Sequence, residues 1–221
     1  MSFLSNSVGK KVIMAVTGFF LLGFVLVHLA GNSTIFAGSD WLNAYAEHLH
    51  ALGPFVWVFR IFLLFVVGLH IIFGVLLTLE NWSANPGKYA VNKKIKVTFS
   101  SRTMIWTGLL LLSFIVAHLV QFTARLTPDI VLAADHVGRP DIFTMLVSSF
   151  RITGISAAYI FAMVVLFLHT RHGIQSFLQT LGLSNDKLQP RYDLASKVIA
   201  GLFLAGFGAI PLLALAGILA K

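Results

Sequence analysis

The stretch that decides the fold is TGFFLLGFVLVHL at residues 17–29, which lies within an apolar run from Val12 to Ile35. About 20 apolar residues are enough for a helix to cross the roughly 30 Å hydrocarbon core of a bilayer. The run follows two lysines, as in a signal peptide, but it is longer than a signal core and no small-residue cleavage site follows it. It therefore predicts an uncleaved membrane-spanning helix.

Four further segments of the chain have the same character. The five predicted spans are roughly residues 12–36, 55–80, 103–125, 152–180 and 196–219. Turn signals rich in glycine, proline and aspartate separate them, and residues 38–50 predict a short amphipathic helix on the membrane surface. The predicted fold is therefore all-α, a single membrane domain over residues 1–221 built as a bundle of five transmembrane helices.

Composition supports a membrane protein and excludes several classes. Hydrophobic residues make up 57% of the chain and charged residues 11%, whereas a soluble domain carries about 25% charged residues. The absence of cysteine excludes disulfides, iron–sulfur ligation and covalently attached haem. The net charge of +8 does not indicate a nucleic-acid partner, because the basic residues flank the spans, where topology explains them.

The lysines and arginines also predict the orientation of the chain, because they are enriched in cytoplasmic loops. With the N-terminus in the cytoplasm and the C-terminus outside, eleven of the sixteen lie inside. The inner ones are Lys10, Lys11, Lys88, Lys93, Lys94, Lys96, Arg102, Arg171, Lys187, Arg191 and Lys197. The outer ones are Arg60, Arg125, Arg139, Arg151 and Lys221.

The first four spans each contain one deeply placed histidine: His28, His70, His118 and His169. At 1.5 Å per residue, His28 and His118 lie about 24 Å along spans that run outward, and His70 and His169 lie about 22–26 Å along spans that run inward. This predicts an outer pair, His28 with His118, and an inner pair, His70 with His169, at levels roughly 15 Å apart. Buried polar groups in lipid are costly and usually functional, although a lone histidine often only bonds to a neighbouring helix.

Two repeated patterns support the same pairing. Residues 107–119, TGLLLLSFIVAHL, repeat residues 17–29, with a Thr-Gly pair, a small residue (Gly23, Ser113) and a phenylalanine (Phe24, Phe114) at equal distances before the histidine. Spans two and four share Leu-His-x-x-x-Gly, ending at Gly74 and Gly173. The glycine follows the histidine by one helical turn on the same face and leaves room for a flat macrocycle, although glycine also serves close helix packing.

Paired neutral imidazoles are standard axial ligands of haem iron, and the patterns predict two stacked b-type haems. The inner haem iron would be ligated by His70 and His169 and the outer one by His28 and His118. The His-x-x-x-Gly pattern favours His169 over His172, because span two has no counterpart of His172.

The chain resembles the haem b membrane anchors of succinate:quinone oxidoreductases, which include the succinate dehydrogenases and fumarate reductases. The resemblance is to the single-chain, five-helix, di-haem b558 type. It covers nearly the whole chain and rests on four stretches: VHLAGN around His28, LHIIFG with NPGKY after His70, the span of His118, and LHTRHGIQSFLQTLG around His169.

The resemblance implies a function for the chain in a larger complex. Such an anchor lies in the bacterial cytoplasmic membrane and binds a flavoprotein and an iron–sulfur subunit on the cytoplasmic face. It is the quinone-reactive subunit of the enzyme and carries electrons between the iron–sulfur subunit and a quinone, usually menaquinone. No dicarboxylate chemistry belongs to this chain. The basic inner loop from Lys88 to Arg102 suits an acidic partner and equally suits anionic lipid headgroups.

Further candidates follow from what the cofactors need. Haem propionates need cationic partners, and Lys11, Arg102 and Arg171 lie near the inner ends of their spans, where they could also be snorkelling anchors. Glu47 and His48 in the outer stretch could exchange protons with a quinone, or could belong to a wetted amphipathic segment.

Three alternatives remain open at this stage. The first is a di-haem cytochrome b anchor of another respiratory enzyme, such as a hydrogenase or formate dehydrogenase. The second is a haem-free transporter with intramembrane histidines, which predicts broken helices and midplane carboxylates; the spans carry no aspartate or glutamate near their centres. The third is a structural anchor that binds no haem.

Overall fold

The structure, a computed structural model, describes residues 6–84 and 102–219. The helices of these residues are α1 (Ser7–Asn32), α2 (Ser39–Ala51), α3 (Pro54–Ser83), α4 (Met104–His118), α5 (Ile142–Phe150), α6 (Thr153–Thr180) and α7 (Gln189–Leu215). A 3₁₀ turn, Ser33–Ala37, extends α1, and a π-helical turn, Leu119–Thr123, extends α4. The all-α prediction is confirmed.

Five of these helical segments are long and apolar enough to cross a membrane. They are Ser7–Ala37, Pro54–Ser83, Met104–Thr123, Thr153–Thr180 and Gln189–Leu215, each of 20 to 31 residues. The chain therefore has the character of a multi-pass membrane protein. Of the predicted basic inner loop, Lys88, Lys93, Lys94 and Lys96 lie outside the described residues.

The first two spanning helices, α1 and α3, run antiparallel, as their contacts show. Lys10 near the start of α1 forms an ion pair with Glu80 near the end of α3, and the Phe20 ring packs edge-on against Phe62 with centroids 5.5 Å apart. We call the end of the bundle at which α1 begins the inner end and the opposite one the outer end, following the predicted orientation.

The outer end holds the best-packed apolar core of the described residues. It combines the 3₁₀ turn, α2, α5 and the end of α7, in a cluster that consists of Ile35, Leu42, Phe143, Leu146, Val147, Phe150, Ile210, Ala214 and Leu219. By contrast, α3 buries only Val66 and exposes a series of large apolar side chains, as expected of a helix that faces lipid. The outer core thus packs several elements together at one end of the bundle.

Local signals explain where several helices begin. The Asn6 side chain accepts a hydrogen bond from the Gly9 amide at 2.6 Å and so caps α1, and Asp141 caps α5 by accepting from the Thr144 amide at 2.9 Å. Pro54 stands in the first turn of α3, where its missing amide hydrogen costs nothing. The helix predicted over residues 38–50 is α2, whereas α5 lies in a stretch that the sequence assigned to an outer loop.

Candidate functional site

The inner pair brings together two of the helices that carry histidine. His70 on α3 and His169 on α6 lie with ring centroids 6.3 Å apart and ring planes at 65°. Both side chains are half-buried. The ring that faces His70 is therefore that of His169, while His172 lies one turn further along α6.

Each inner histidine has a threonine from a third or fourth helix beside its ring. Thr17 Oγ1 on α1 lies 3.0 Å from His70 Nδ1, and Thr107 Oγ1 on α4 lies 3.1 Å from His169 Nδ1. Each hydroxyl also donates to backbone carbonyls of its own helix, Thr17 to Ile13 at 2.7 Å and Thr107 to Met104 at 3.0 Å. Since a hydroxyl has one hydrogen to donate, it must accept from the imidazole N–H.

This arrangement sets the tautomer of the inner histidines. With Nδ1 protonated and bonded to the threonine, Nε2 keeps its free lone pair and is the nitrogen that can bind a metal. The glycine that follows each threonine lies against the same ring. A Cβ on Gly18 would lie 3.5 Å from His70 Cε1, and one on Gly108 would lie 3.4 Å from His169 Cε1. The repeated Thr-Gly pair is therefore the part of α1 and α4 that contacts the inner histidines.

The outer pair lies at the other level of the same helices. His28 on α1 and His118 on α4 have ring centroids 6.0 Å apart and planes at 85°. The phenylalanine four residues before each histidine packs on its ring: Phe24 is stacked on His28 at 5.3 Å and Phe114 is tilted against His118 at 5.9 Å. The repeated phenylalanine therefore holds each ring on one face.

The level of the outer pair can be measured along α1 and α4. Thr17 marks the inner level on α1 and is eleven residues before His28; Thr107 marks it on α4 and is eleven residues before His118. Eleven residues of α-helix span about 16 Å. The two pairs are thus separated along the bundle by about the distance that the sequence predicts.

A second set of polar side chains supports His118. Tyr159 Oη on α6 lies 3.3 Å from His118 Nδ1 and donates to Gln121 Oε1 at 2.8 Å. Gln121 Nε2 in turn donates to Asp129 Oδ2 at 2.7 Å. Gln121 stands in the π-helical turn directly after the histidine and is buried. Such turns are frequent at functional sites.

The spacing within both pairs fits one metal ion between two axial imidazoles. With metal–nitrogen bonds of about 2 Å and roughly 1 Å from each nitrogen to its ring centre, two rings on opposite sides of one ion have centroids about 6 Å apart. Either ring can turn about its metal–nitrogen bond, so both observed interplanar angles are compatible. Two neutral imidazoles per site form a donor set that suits the axial positions of a haem.

The glycines of the His-x-x-x-Gly pattern differ in their surroundings. A Cβ on Gly173 would meet no atom within 4 Å in the described part of the chain, whereas one on Gly74 would lie 3.5 Å from Met14 Cε. Gly173 therefore borders open space beside the inner pair, and Gly74 borders a flexible side chain. That the two glycines make room for a macrocycle remains a prediction.

The candidate propionate partners lie in different settings at the inner end. Lys11 and Arg102 are exposed. Arg171 forms an ion pair of 3.3 Å with Asp193 on α7, so its charge is already partly balanced. Lys10, which the sequence did not single out for this role, is buried and pairs with Glu80.

Glu47 and His48 lie on the exposed face of α2. His48 Nδ1 lies 2.7 Å from the Ala44 carbonyl oxygen of its own helix, and the contacts described for these two residues include none with the histidine pairs. The α2 residue that reaches α1 is Tyr45, whose side chain occupies the space that a Cβ on Gly31 would need. Whether Glu47 and His48 act on a quinone is therefore left as a prediction.

An acidic group at the outer end has the composition of a cation site. Ligand atoms of Asp40, Asp135 and His136 lie within 4.8 Å of one another. Arg139 already bonds both carboxylates, at 2.9 Å to Asp40 and 2.7 Å to Asp135. Although desolvation raises the pKa of Asp135, the hydrogen bonds and charge of Arg139 lower it below the ordinary value overall. This group is therefore an ion-pair network that joins α2 to the loop before α5.

Sequence reasoning missed the residues that bond the histidines. Thr17 and Thr107 were visible as part of the repeat, but their partners are 53 and 62 residues away in the chain. Gln121 and Tyr159 had one available signal: they are polar side chains within apolar spans. Comparison with known proteins adds no assignment, because no family model, curated protein or solved structure matches this chain.

Proposed function

We propose that the chain is a di-haem cytochrome b membrane anchor of a succinate:quinone oxidoreductase. The observation that carries the proposal is the presence of two histidine pairs, with ring centroids 6.0 and 6.3 Å apart, at two levels of the bundle. Two haems b bound there would supply one-electron carriers at two depths of the membrane.

The residues of the chain would then have three tasks. His28, His118, His70 and His169 would hold the iron ions. Thr17, Thr107 and Tyr159 would fix three of these ligands, His70, His169 and His118, in the tautomer that leaves Nε2 free. The apolar walls of the bundle would exclude water. Paired ligation would leave no position for oxygen at either iron, which would suit electron transfer rather than oxygen chemistry.

The electron-transfer partners of the two pairs come from the family resemblance. The inner pair would face a cytoplasmic iron–sulfur subunit, itself bound to a flavoprotein, and the outer pair would face a membrane quinone, for which menaquinone is the expected molecule. Lys11, Arg102 and Arg171 are proposed as propionate partners, and Glu47 with His48 as the proton-exchanging residues of the quinone site.

The test is a haem count combined with single histidine replacements. Pyridine haemochrome analysis of the purified chain should give about two protohaems per polypeptide. His169→Ala should remove the inner haem, because His70 would lose its partner across the iron, whereas His172→Ala should leave both bis-histidine spectra in place.

A haem content of zero in the wild-type chain would overturn the proposal and favour a transporter or a haem-free anchor. Two haems that survive His169→Ala but not His172→Ala would overturn the ligand assignment of the inner pair.

A further inference from the structure

The donor and acceptor of each hydrogen bond beside His118 can be assigned by starting from Asp129, the last residue of the chain of bonds. A carboxylate only accepts, so Gln121 must present its NH₂ group to Asp129 and its oxygen to Tyr159. The Tyr159 hydroxyl must then donate to that oxygen, and what it offers His118 is a lone pair. His118 therefore donates from Nδ1, and its Nε2 is left free for a metal.

We propose that Tyr159, Gln121 and Asp129 form a relay that positions His118 and transmits the negative charge of Asp129 to it, so that the outer haem has a lower midpoint potential than it would have without the relay. This inference rests on the proposed function, since it concerns a haem that His118 would ligate. All three are positioning residues, because they act on the haem only through the histidine.

The inner pair provides the contrast that makes the relay specific. There, the acceptor of each imidazole N–H is a threonine hydroxyl that donates to a neutral backbone carbonyl of its own helix. No carboxylate belongs to either of those hydrogen-bond chains as described. Hydrogen bonds that involve an ionised group are roughly twice as strong as neutral ones, and in a low-dielectric interior successive bonds polarise one another. The negative charge therefore acts at one level of the bundle.

Asp129 is held as an anion in this structure. Partial burial raises its pKa, but hydrogen bonds from surrounding side chains, Gln121 among them, outweigh this effect and lower the pKa below the ordinary value of 3.8. The carboxylate is therefore charged at neutral pH. The Ser149 hydroxyl on α5 lies 3.5 Å from the Asp129 carbonyl oxygen, which ties this loop to the outer core.

The middle of the relay is held by packing. The Tyr159 ring meets the rings of Phe114 and Phe150 edge-on, with centroids 5.0 and 4.9 Å apart, and it also lies against Phe122. Gln121 is 7% exposed. Because the ring is held independently of its hydroxyl, Tyr159→Phe removes the hydrogen-bonding oxygen and keeps the aromatic packing.

The mechanism predicts the sign of the effect. A histidine that donates to a chain ending in a carboxylate gains imidazolate character, which stabilises the ferric state of an iron bound to Nε2 more than the ferrous state. Removing the hydroxyl or the charge should therefore raise the midpoint potential of the outer haem. We expect up to about a tenfold rise in its ferrous-to-ferric ratio at fixed ambient potential, which corresponds to 59 mV for a one-electron couple.

The experiment is an optical redox titration of the purified chain and of three variants, with haem content measured on each. Asp129→Asn keeps an acceptor oxygen for Gln121 and removes only the charge. Tyr159→Phe removes the link to His118. Thr107→Val is the matched control, because it removes the corresponding hydroxyl at the inner pair. The outer haem is identified as the one that His28→Ala removes.

Asp129→Asn and Tyr159→Phe should both raise the midpoint potential of the outer haem and leave that of the inner haem unchanged. Thr107→Val should raise the midpoint potential of the inner haem and leave that of the outer haem unchanged. An outer midpoint that stays constant in Asp129→Asn, with both haems bound, would overturn the transmission of charge even if Tyr159→Phe shifts it. A wild-type chain without haem would instead contradict the proposed function. If Tyr159→Phe loses the outer haem, the Asp129→Asn titration alone decides whether the charge of Asp129 lowers the midpoint potential of that haem.

Discussion

A hydroxyl group that bonds to its own helix can at the same time orient a ring on another helix. Thr17 and Thr107 do this for His70 and His169. Without the hydroxyl, the imidazole N–H would lose this acceptor, which costs up to about 1–3 kcal/mol where the group is kept from water. The threonines therefore contribute to the inner site although neither could touch an iron held there.

We predict that Thr107→Val weakens haem binding at the inner pair by about 10- to 100-fold, the usual cost of losing a residue that bonds a metal ligand. Valine keeps the shape of threonine, so packing changes little. The measurement is an equilibrium titration of haem into haem-free protein, followed by absorbance.

Ser113→Ala is the matched control for this prediction. Ser113 lies on the same helix and donates to the Leu109 carbonyl in the same way, but it is exposed and its described hydrogen bond stays within α4. Equal affinities in Thr107→Val and Ser113→Ala would show that the threonine contact is incidental.

At the scale of elements, the outer end is organised by a short helix and by one buried amide. Asn43 on α2 is 1% exposed. It accepts from the Phe143 amide at 3.0 Å and donates to Asp141 at 3.2 Å. One side chain therefore joins α2 to the first turn of α5 and helps to close the core above the outer pair.

We predict that Asn43→Ala lowers the thermal midpoint of the protein in detergent. The change leaves the Phe143 amide buried without this acceptor, at a cost of about 1–3 kcal/mol, or about 2–4 °C per kcal/mol for a chain of this size. His50→Ala is the control, because His50 is on the same helix, exposed, and bonded within α2 to the Ala46 carbonyl. A midpoint that falls equally in both variants would refute the role of Asn43.

The spanning helices could be predicted from the sequence because each is a long apolar run, and the short helix α2 could be predicted from its amphipathic pattern. Two features of the fold could not be predicted from the sequence: the polar start of α7 and the short helix α5. The first two turns of α7 are polar, and they are helical because Asp193 and Ser196 bond to Arg171 and Gln175 on α6. The helix therefore begins at Gln189 rather than near residue 196. The nine residues of α5 are too short for a spanning signal, and tertiary packing in the outer core stabilises them.

The sequence also predicted only a part of the candidate site. The four histidines could be predicted to lie in pairs, because depth along a helix follows from residue number. The residues that bond to them could not, because a hydrogen bond between α1 and α3 depends on how the two helices are rotated about their axes. Depth is a property of one helix, whereas the Thr17–His70 contact is a property of two.

At the scale of the whole molecule, the proposed function places the iron–sulfur partner and the quinone chemistry at opposite ends of the bundle. Moving one charge across 100 mV is worth about 2.3 kcal/mol, so quinone turnover at the outer end should respond to the membrane potential. We predict that Glu47→Gln slows quinone turnover in liposomes that contain the complex, while both haems remain bound.

The comparison for this prediction is His50→Gln, which changes another exposed polar side chain of α2, one whose described hydrogen bond stays within that helix. If Glu47→Gln turns over at the wild-type rate, or if inhibitor-bound structures place the quinone beside His70 and His169, the outer quinone site is wrong.

The contribution of α6 to both levels has a consequence for biogenesis. As the chain leaves the ribosome, both ligands of the outer pair are present once α4 has been made, but the Tyr159 that bonds to His118 arrives on the same helix as His169. A nascent chain with three spans would offer the outer pair without its tyrosine and the inner pair with one ligand missing. Insertion of the fourth span would therefore complete both sites at once, and haem loading would be linked to the completion of membrane insertion.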